Sequence, residues 1–141
     1  MISNLQHLWK SKIEMLYPTH LIAPPSPSHQ ATMKTIIYNG ITYKVGQSAE
    51  ENWALVQHAN KTHYWVHLDG KPSSHVIVEM DMPIEAELYY AGQLCLAQTY
   101  KDKPAPVKNV FVSTPVRNLK LGSKPGEVLF RKEDQVTYFL L

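Results

Sequence analysis

Residues 64–79, YWVHLDGKPSSHVIVE, are two alternating apolar runs joined by the short segment DGKPSS. A period of two marks a strand with two distinct faces, and Gly70 and Pro72 punctuate a turn between the runs. The stretch therefore calls for two strands whose faces are already assigned. Trp65, His67 and Asp69 share one face of the first strand, opposite Tyr64, Val66 and Leu68. In the second strand His75, Ile77 and Glu79 lie opposite Ser74, Val76 and Val78. Close pairing across the turn brings His67 and His75 together.

The rest of the chain supplies what such a pair packs against. Residues 3–16 have helical spacing, with Ser3 as N-cap and Leu5, Leu8, Trp9, Ile13 and Leu16 on one side. This predicts an amphipathic N-terminal helix within residues 1–17. PTHLIAPPSPSHQA (18–31) follows, rich in proline and serine, so residues 18–32 read as an extended linker and 33–141 as the domain. The domain opens on TIIYNGITYKVG, where Asn39-Gly40 between β-formers predicts a tight hairpin. SAEENWALVQHAN predicts a short helix with Ser48 and Glu51 at capping-box spacing. Asp81 and Pro83 are expected to begin a second helix running to about Tyr100, nearly apolar throughout and so buried against a sheet. Three further strands are expected after KDKPAP. The fold class is α+β: a mostly antiparallel sheet with two helices packed on it, plus the separate N-terminal helix.

Composition narrows the class. With 44% hydrophobic and 18% charged residues the chain reads as an ordinary globular domain. No stretch approaches the ~20 apolar residues needed to span a membrane, and the N-terminus does not read as a secretory signal. The single cysteine, Cys95, excludes an internal disulfide and a cysteine-based zinc site, and its apolar neighbours make it a core residue. A cytoplasmic address is the expectation. Charge is unevenly spread. Residues 46–100 hold two lysines against seven carboxylates, whereas residues 100–132 hold eight basic residues against two acidic ones. A basic field of that density attracts nucleic acid or another polyanion, or else forms a solvated surface.

Four readings compete for the turn. Two histidines with Asp69 would form a metal site, although the spacing matches no metal motif. A histidine pair would serve acid–base catalysis, although no nucleophile motif accompanies it. The histidines and serines would hydrogen-bond phosphates or base edges beside the basic segment. Or the histidines would simply cap strand-end carbonyls. A second turn, GSKPGEV (122–128), lacks the Walker pattern, so no nucleotide cofactor is expected from it. It reads either as a tight loop needing Gly122 and Gly126 for unusual φ, or as a phosphate-facing basic loop with Lys124, preceded by Arg117 and Lys120.

Three motifs in order resemble the RNA-binding domain of the NFACT family, the module of ribosome quality-control factors and of fibronectin/fibrinogen-binding-type bacterial proteins. YKVGQSAEEN is similar to the family's strand-ending V-G and following helix with an early Asn, here Asn52. YWVHLDGKPSSHVIV is similar to its W-x-H…G-S-H-V signature through Trp65, His67, Ser74, His75 and Val76. TPVRNLKLGSKPGEVLF is similar to its T-x-V-[KR]-x-V…G-x-K-P-G-x-V ending through Thr114, Val116, Arg117, Lys124, Pro125, Gly126 and Val128. The likeness runs from about Tyr43 to Tyr138. Gln47 departs from it where a basic residue is usual, Tyr64 where an acidic one is, and Ser73 where Gly is. The large members carry an additional N-terminal domain, a helix-hairpin-helix segment and a coiled coil, so the chain is expected to be a stand-alone form.

The resemblance implies an RNA-binding module acting near tRNA or the ribosome, with DNA as a second nucleic-acid candidate. The expected contacts are His67, Ser74, His75, Lys71, Asn52, Arg117, Lys120 and Lys124. No cofactor, metal or membrane partner is expected. Two alternatives stand beside this reading. One is an RNA-processing enzyme using His67 and His75 as acid and base. The other is an adaptor that captures a protein through the 3–16 helix.

Overall fold

Asn39 and Gly40 both take positive φ, 52° and 76°. This is the backbone a two-residue hairpin turn requires, and it fixes the register of β1 (Lys34–Tyr38) against β2 (Ile41–Val45), with Tyr38 opposite Ile41. The computed structural model describes residues 33–141. The expected N-terminal helix and linker lie outside the described residues. After β2 come α1 (Ala49–His58), β3 (Tyr64–Leu68), β4 (Val76–Val78), α2 (Glu85–Thr99) and β5 (Val110–Pro115). A 3-10 turn leads into β6 (Leu119–Leu121), then β7 (Val128–Phe130), a second 3-10 turn and β8 (Thr137–Leu140).

Six strands form one sheet in the order β1-β2-β4-β3-β5-β8, antiparallel throughout, while β6 and β7 form a separate two-stranded ribbon. The α+β class expected from the sequence is observed. Alternation sorts the side chains to two layers. Tyr43, Val45, Val66, Leu68, Val76, Val78 and Phe111 face α2 and meet Tyr90, Ala91, Leu94, Cys95, Leu96 and Ala97. On the other face Trp65, Ile77 and Val112 meet Leu55 and Val56 of α1, with Leu119, Leu121, Val128 and Phe130 of the ribbon. The sheet is thus covered by α2 on one side and by α1 and the ribbon on the other. Gly92 lets the C-terminal strand close on α2, because a Cβ there would lie 2.9 Å from Leu141 Cδ1. Among the described residues no helix is long and apolar enough to cross a membrane.

Three expectations are corrected. α2 begins at Glu85 rather than Asp81. Asp81 is drawn away by Thr62, whose hydroxyl donates to its carboxylate at 2.6 Å, and the Glu87 carboxylate caps the helix by accepting the Ile84 N–H at 2.8 Å. Four strands follow α2 instead of three, because Leu119–Leu121 pairs with Val128–Phe130. Gly122 has no positive φ, unlike Gly126 at +86°; it is glycine because a Cβ would collide with the Glu127 side chain at 2.2 Å.

Candidate functional site

The β3–β4 register, Val66 opposite Val76, puts His67 opposite His75 at the turn end of the pair. Their rings meet edge to face with centroids 4.6 Å apart. Trp65 stacks on His67, centroids 5.3 Å apart and rings 9° from parallel, and donates its indole N–H to His75 Nδ1 at 2.9 Å. With Nδ1 an acceptor, the neutral ring carries its proton on Nε2, on the side of the Gly126 carbonyl. Burial, then the neighbouring His67, push the His75 pKa down to about 3, against the pull of that carbonyl. His67 points its Nδ1 at the Leu68 carbonyl at 2.5 Å; burial lowers its pKa too, opposed by that bond and by Asp69. Neither imidazole is charged at neutral pH. His75, buried, neutral and with Nδ1 taken by Trp65, is not available as half of an acid–base pair.

The conformation of the turn is fixed from every side. Ser73 Oγ accepts the Leu68 N–H at 3.1 Å and donates to the Ser74 carbonyl at 3.0 Å. From α2, Thr99 Oγ1 accepts the Ser74 N–H at 3.0 Å and the Cys95 thiol donates to the Ser74 carbonyl at 3.2 Å. Burial pushes the Cys95 pKa up to about 11, so it stays a protonated donor. Just after β2, the Gly46 carbonyl accepts the Ser74 hydroxyl at 2.6 Å, and the Gly46 N–H donates to the His75 carbonyl at 3.0 Å. From α1, Asn52 Oδ1 accepts the His75 N–H at 3.1 Å. A Cβ on Gly46 would stand 2.0 Å from that oxygen, so only glycine admits the bond. Ser48 Oγ, accepting the Glu51 N–H at 3.2 Å, starts α1 where Asn52 can reach the turn. Val45-Gly46, Asn52 and Ser74-His75-Val76, which the sequence presents as separate motifs, are one contact cluster.

Above this frame lies an open groove of about 470 Å³. Leu68, Asp69, Gly70, Lys71 and Pro72 form one wall and Gly126, Glu127 and Val128 the other, over a floor of Trp65, His67, His75, Val112 and Phe130. The Gly126–Val128 wall is anchored by Trp53, whose indole N–H donates to the Glu127 carbonyl at 2.8 Å. The Glu127 carboxylate turns back on its own loop, accepting the Ser123 N–H at 2.8 Å. Those Ser123 bonds and, more weakly, the Lys124 charge lower its pKa.

Of the residues singled out from the sequence, Asn52, Ser74 and His75 are buried and use their polar atoms within the protein. They build the site from beneath. His67 and Lys71 line the groove. Lys124 is exposed near the tip of the β6–β7 loop, and Lys120 points outward from the ribbon, paired with the exposed Leu129. Arg117 stands at the far end of the ribbon, where its N–H donates to the Lys61 carbonyl at 2.9 Å. None of Lys71, Arg117, Lys120 and Lys124 is in an ion pair among the described residues. The metal reading does not form: among the described residues no three His, Cys, Asp or Glu side chains stand where they could hold an ion. Phe130 was not singled out from the sequence. The alternation of EVLF, with Val128 and Phe130 on one face, is the pattern that points to it.

No family model and no curated protein matches the chain. Among solved structures it is similar to the C-terminal part of the fibronectin/fibrinogen-binding protein from Streptococcus suis, with a TM-score of 0.68 and 19% identity. That likeness covers 99% of this chain and 56% of the other, so this chain spans little more than half of the structure it matches. It is a likeness of fold. A second cleft of about 510 Å³ lies between α2 and the edge strand β8, and it contains none of the residues singled out from the sequence.

Proposed function

We propose that the protein is an RNA-binding module whose groove and ribbon contact a nucleic-acid strand. The observation that carries the reading is that one loop joins the basic ribbon to the groove that Lys71 lines. The 122–127 loop bears Lys124, walls the groove with Gly126 and Glu127, and is anchored by Trp53, whose indole N–H donates to the Glu127 carbonyl at 2.8 Å. From that loop the ribbon runs back past the outward-facing Lys120 to Arg117 at its far end, so Lys71 lines an aromatic-floored groove and three more cations follow the loop and ribbon away from it, none of the four in an ion pair among the described residues. Phosphates neutralised by such cations release counterions, and aromatic surfaces accept stacked bases of any sequence.

The motif resemblance to the NFACT RNA-binding domain supports the same reading, and so does the fold shared with a fibronectin/fibrinogen-binding protein, a type of protein that resemblance includes. Action near tRNA or the ribosome, in the cytoplasm, follows from the resemblance. The enzyme alternative loses ground because His75 is buried, neutral at physiological pH and bonded to Trp65 at Nδ1.

The test is binding of the full chain to labelled tRNA, a single-stranded RNA and matched DNA, beside Arg117→Ala/Lys120→Ala/Lys124→Ala. RNA bound intact by the wild type and lost by the triple variant is the expected result. A folded wild-type chain that binds no RNA at low salt overturns the reading.

A further inference from the structure

We infer that the groove between the 69–72 turn and the Gly126–Val128 loop receives a nucleobase bearing an exocyclic amino group, with Lys71 on the adjoining phosphate. The inference deepens the RNA-binding reading and rests on it.

Its basis is the inventory of hydrogen-bonding groups left over at the groove. A volume of about 470 Å³ falls in the range of small-molecule sites. The half-buried rings of His67 and Phe130, backed by the buried Trp65 and Val112, suit a flat ring. The polar groups there are mostly spent. His75 accepts from Trp65 at Nδ1 and holds its Nε2–H on the side of the Gly126 carbonyl, while His67 gives its Nδ1–H to the Leu68 carbonyl. What remains on His67 is the Nε2 lone pair, an acceptor. Asp69, on the same strand face and in the lining of the same groove, offers only acceptors. Lys71 is the one cationic side chain in the lining, on the outer wall.

Two neighbouring acceptors match a group with two N–H bonds. The amino groups at C4 of cytosine and C6 of adenine meet that requirement; the carbonyls of uracil and hypoxanthine at the same positions present a lone pair to a lone pair. Leaving such acceptors unpaired under a stacked base is costly, so the chemistry of one substituent decides affinity.

The experiment compares binding of the full chain, at one salt concentration, to single-stranded oligo(C) against oligo(U) and to oligo(A) against oligo(I). The mononucleotides CMP and UMP form a second arm, and imidazole NMR resonances report where the ligand sits. Amino-bearing strands are expected to bind about tenfold tighter or more, shifting the His67 resonances. His67→Phe, which keeps a ring on Trp65 but removes the acceptor, is expected to bring the ratio near one. CMP binding on its own marks a free nucleotide as sufficient, and binding of strands alone marks the base as part of a chain; either supports the site. Equal affinities within each wild-type pair overturn the amino readout without relying on any variant. RNA bound with no change at His67 overturns the groove assignment while the RNA-binding reading stands. No RNA binding overturns both.

Discussion

Trp65 donates its indole N–H to Nδ1 of His75 across 2.9 Å, and both side chains are only 1% exposed. The bond selects the tautomer of a buried imidazole, and that tautomer carries its N–H on the side of the Gly126 carbonyl, on the opposite wall of the groove. Local sequence, packing and the shape of the site meet in this pair.

Trp65→Phe keeps an aromatic ring but deletes the donor and leaves a void beside Phe130. It is expected to cost about 2–4 kcal/mol, from one buried acceptor left unpaired and the lost contacts. Urea denaturation at pH 7 measures the change. A loss below about 1 kcal/mol would mean that His75 finds another donor.

Acid should destabilise the protein through His75. Its pKa is about 3 folded and 6.5 unfolded, so between those values the unfolded chain binds the extra proton. The stability is fully present above pH 6.5 and is lost as pH falls towards 3, by an amount on the order of 4 kcal/mol. His67, lowered in the same direction, adds to the slope. Denaturation midpoints from pH 4 to 7.5 check this, and His75→Gln should flatten the dependence while lowering stability at neutral pH.

Much of this was legible in the sequence, for identifiable reasons. Alternation in YWVHL and HVIV assigned residues to the two layers and put His67 and His75 within reach of each other if the strands paired closely; the β3–β4 register is what brings them together. What alternation does not encode is depth. Ser74, His75 and Asn52 look like ligand-binding groups in a string of letters. Burial and the carbonyl of Gly46, 28 residues away from Ser74, turn them inward. The late start of α2 has the same origin, since the partner of Asp81 is Thr62, 19 positions earlier. The strand Leu119–Leu121 escaped notice because three residues next to a Gly/Pro loop carry too little periodicity.

Gly46→Ala should behave like loss of Asn52. The new methyl meets Asn52 Oδ1 at 2.0 Å and forces it off the His75 N–H. A cost of about 1–3 kcal/mol is expected for either Gly46→Ala or Asn52→Ala, and the double variant should fall well short of their sum. Additive losses by thermal denaturation would show that the two act separately.

Gly126→Ala tests the loop wall. Alanine is strained at φ +86°, and its methyl would press on Ala49 at 3.3 Å. The global stability should fall by about 1 kcal/mol. RNA affinity should fall further than that loss explains, because the strained segment is the wall itself. An unchanged affinity would place the bound strand away from this loop.

The decisive measurement is the salt dependence of single-stranded RNA binding by the full chain and by Arg117→Ala/Lys120→Ala/Lys124→Ala. Four phosphate contacts predict a log–log slope of about −3 for the wild type, shrinking by about 2 in the variant at roughly 0.7 per contact. A slope that the three substitutions leave unchanged would contradict the assignment of the ribbon and groove as the RNA-binding surface.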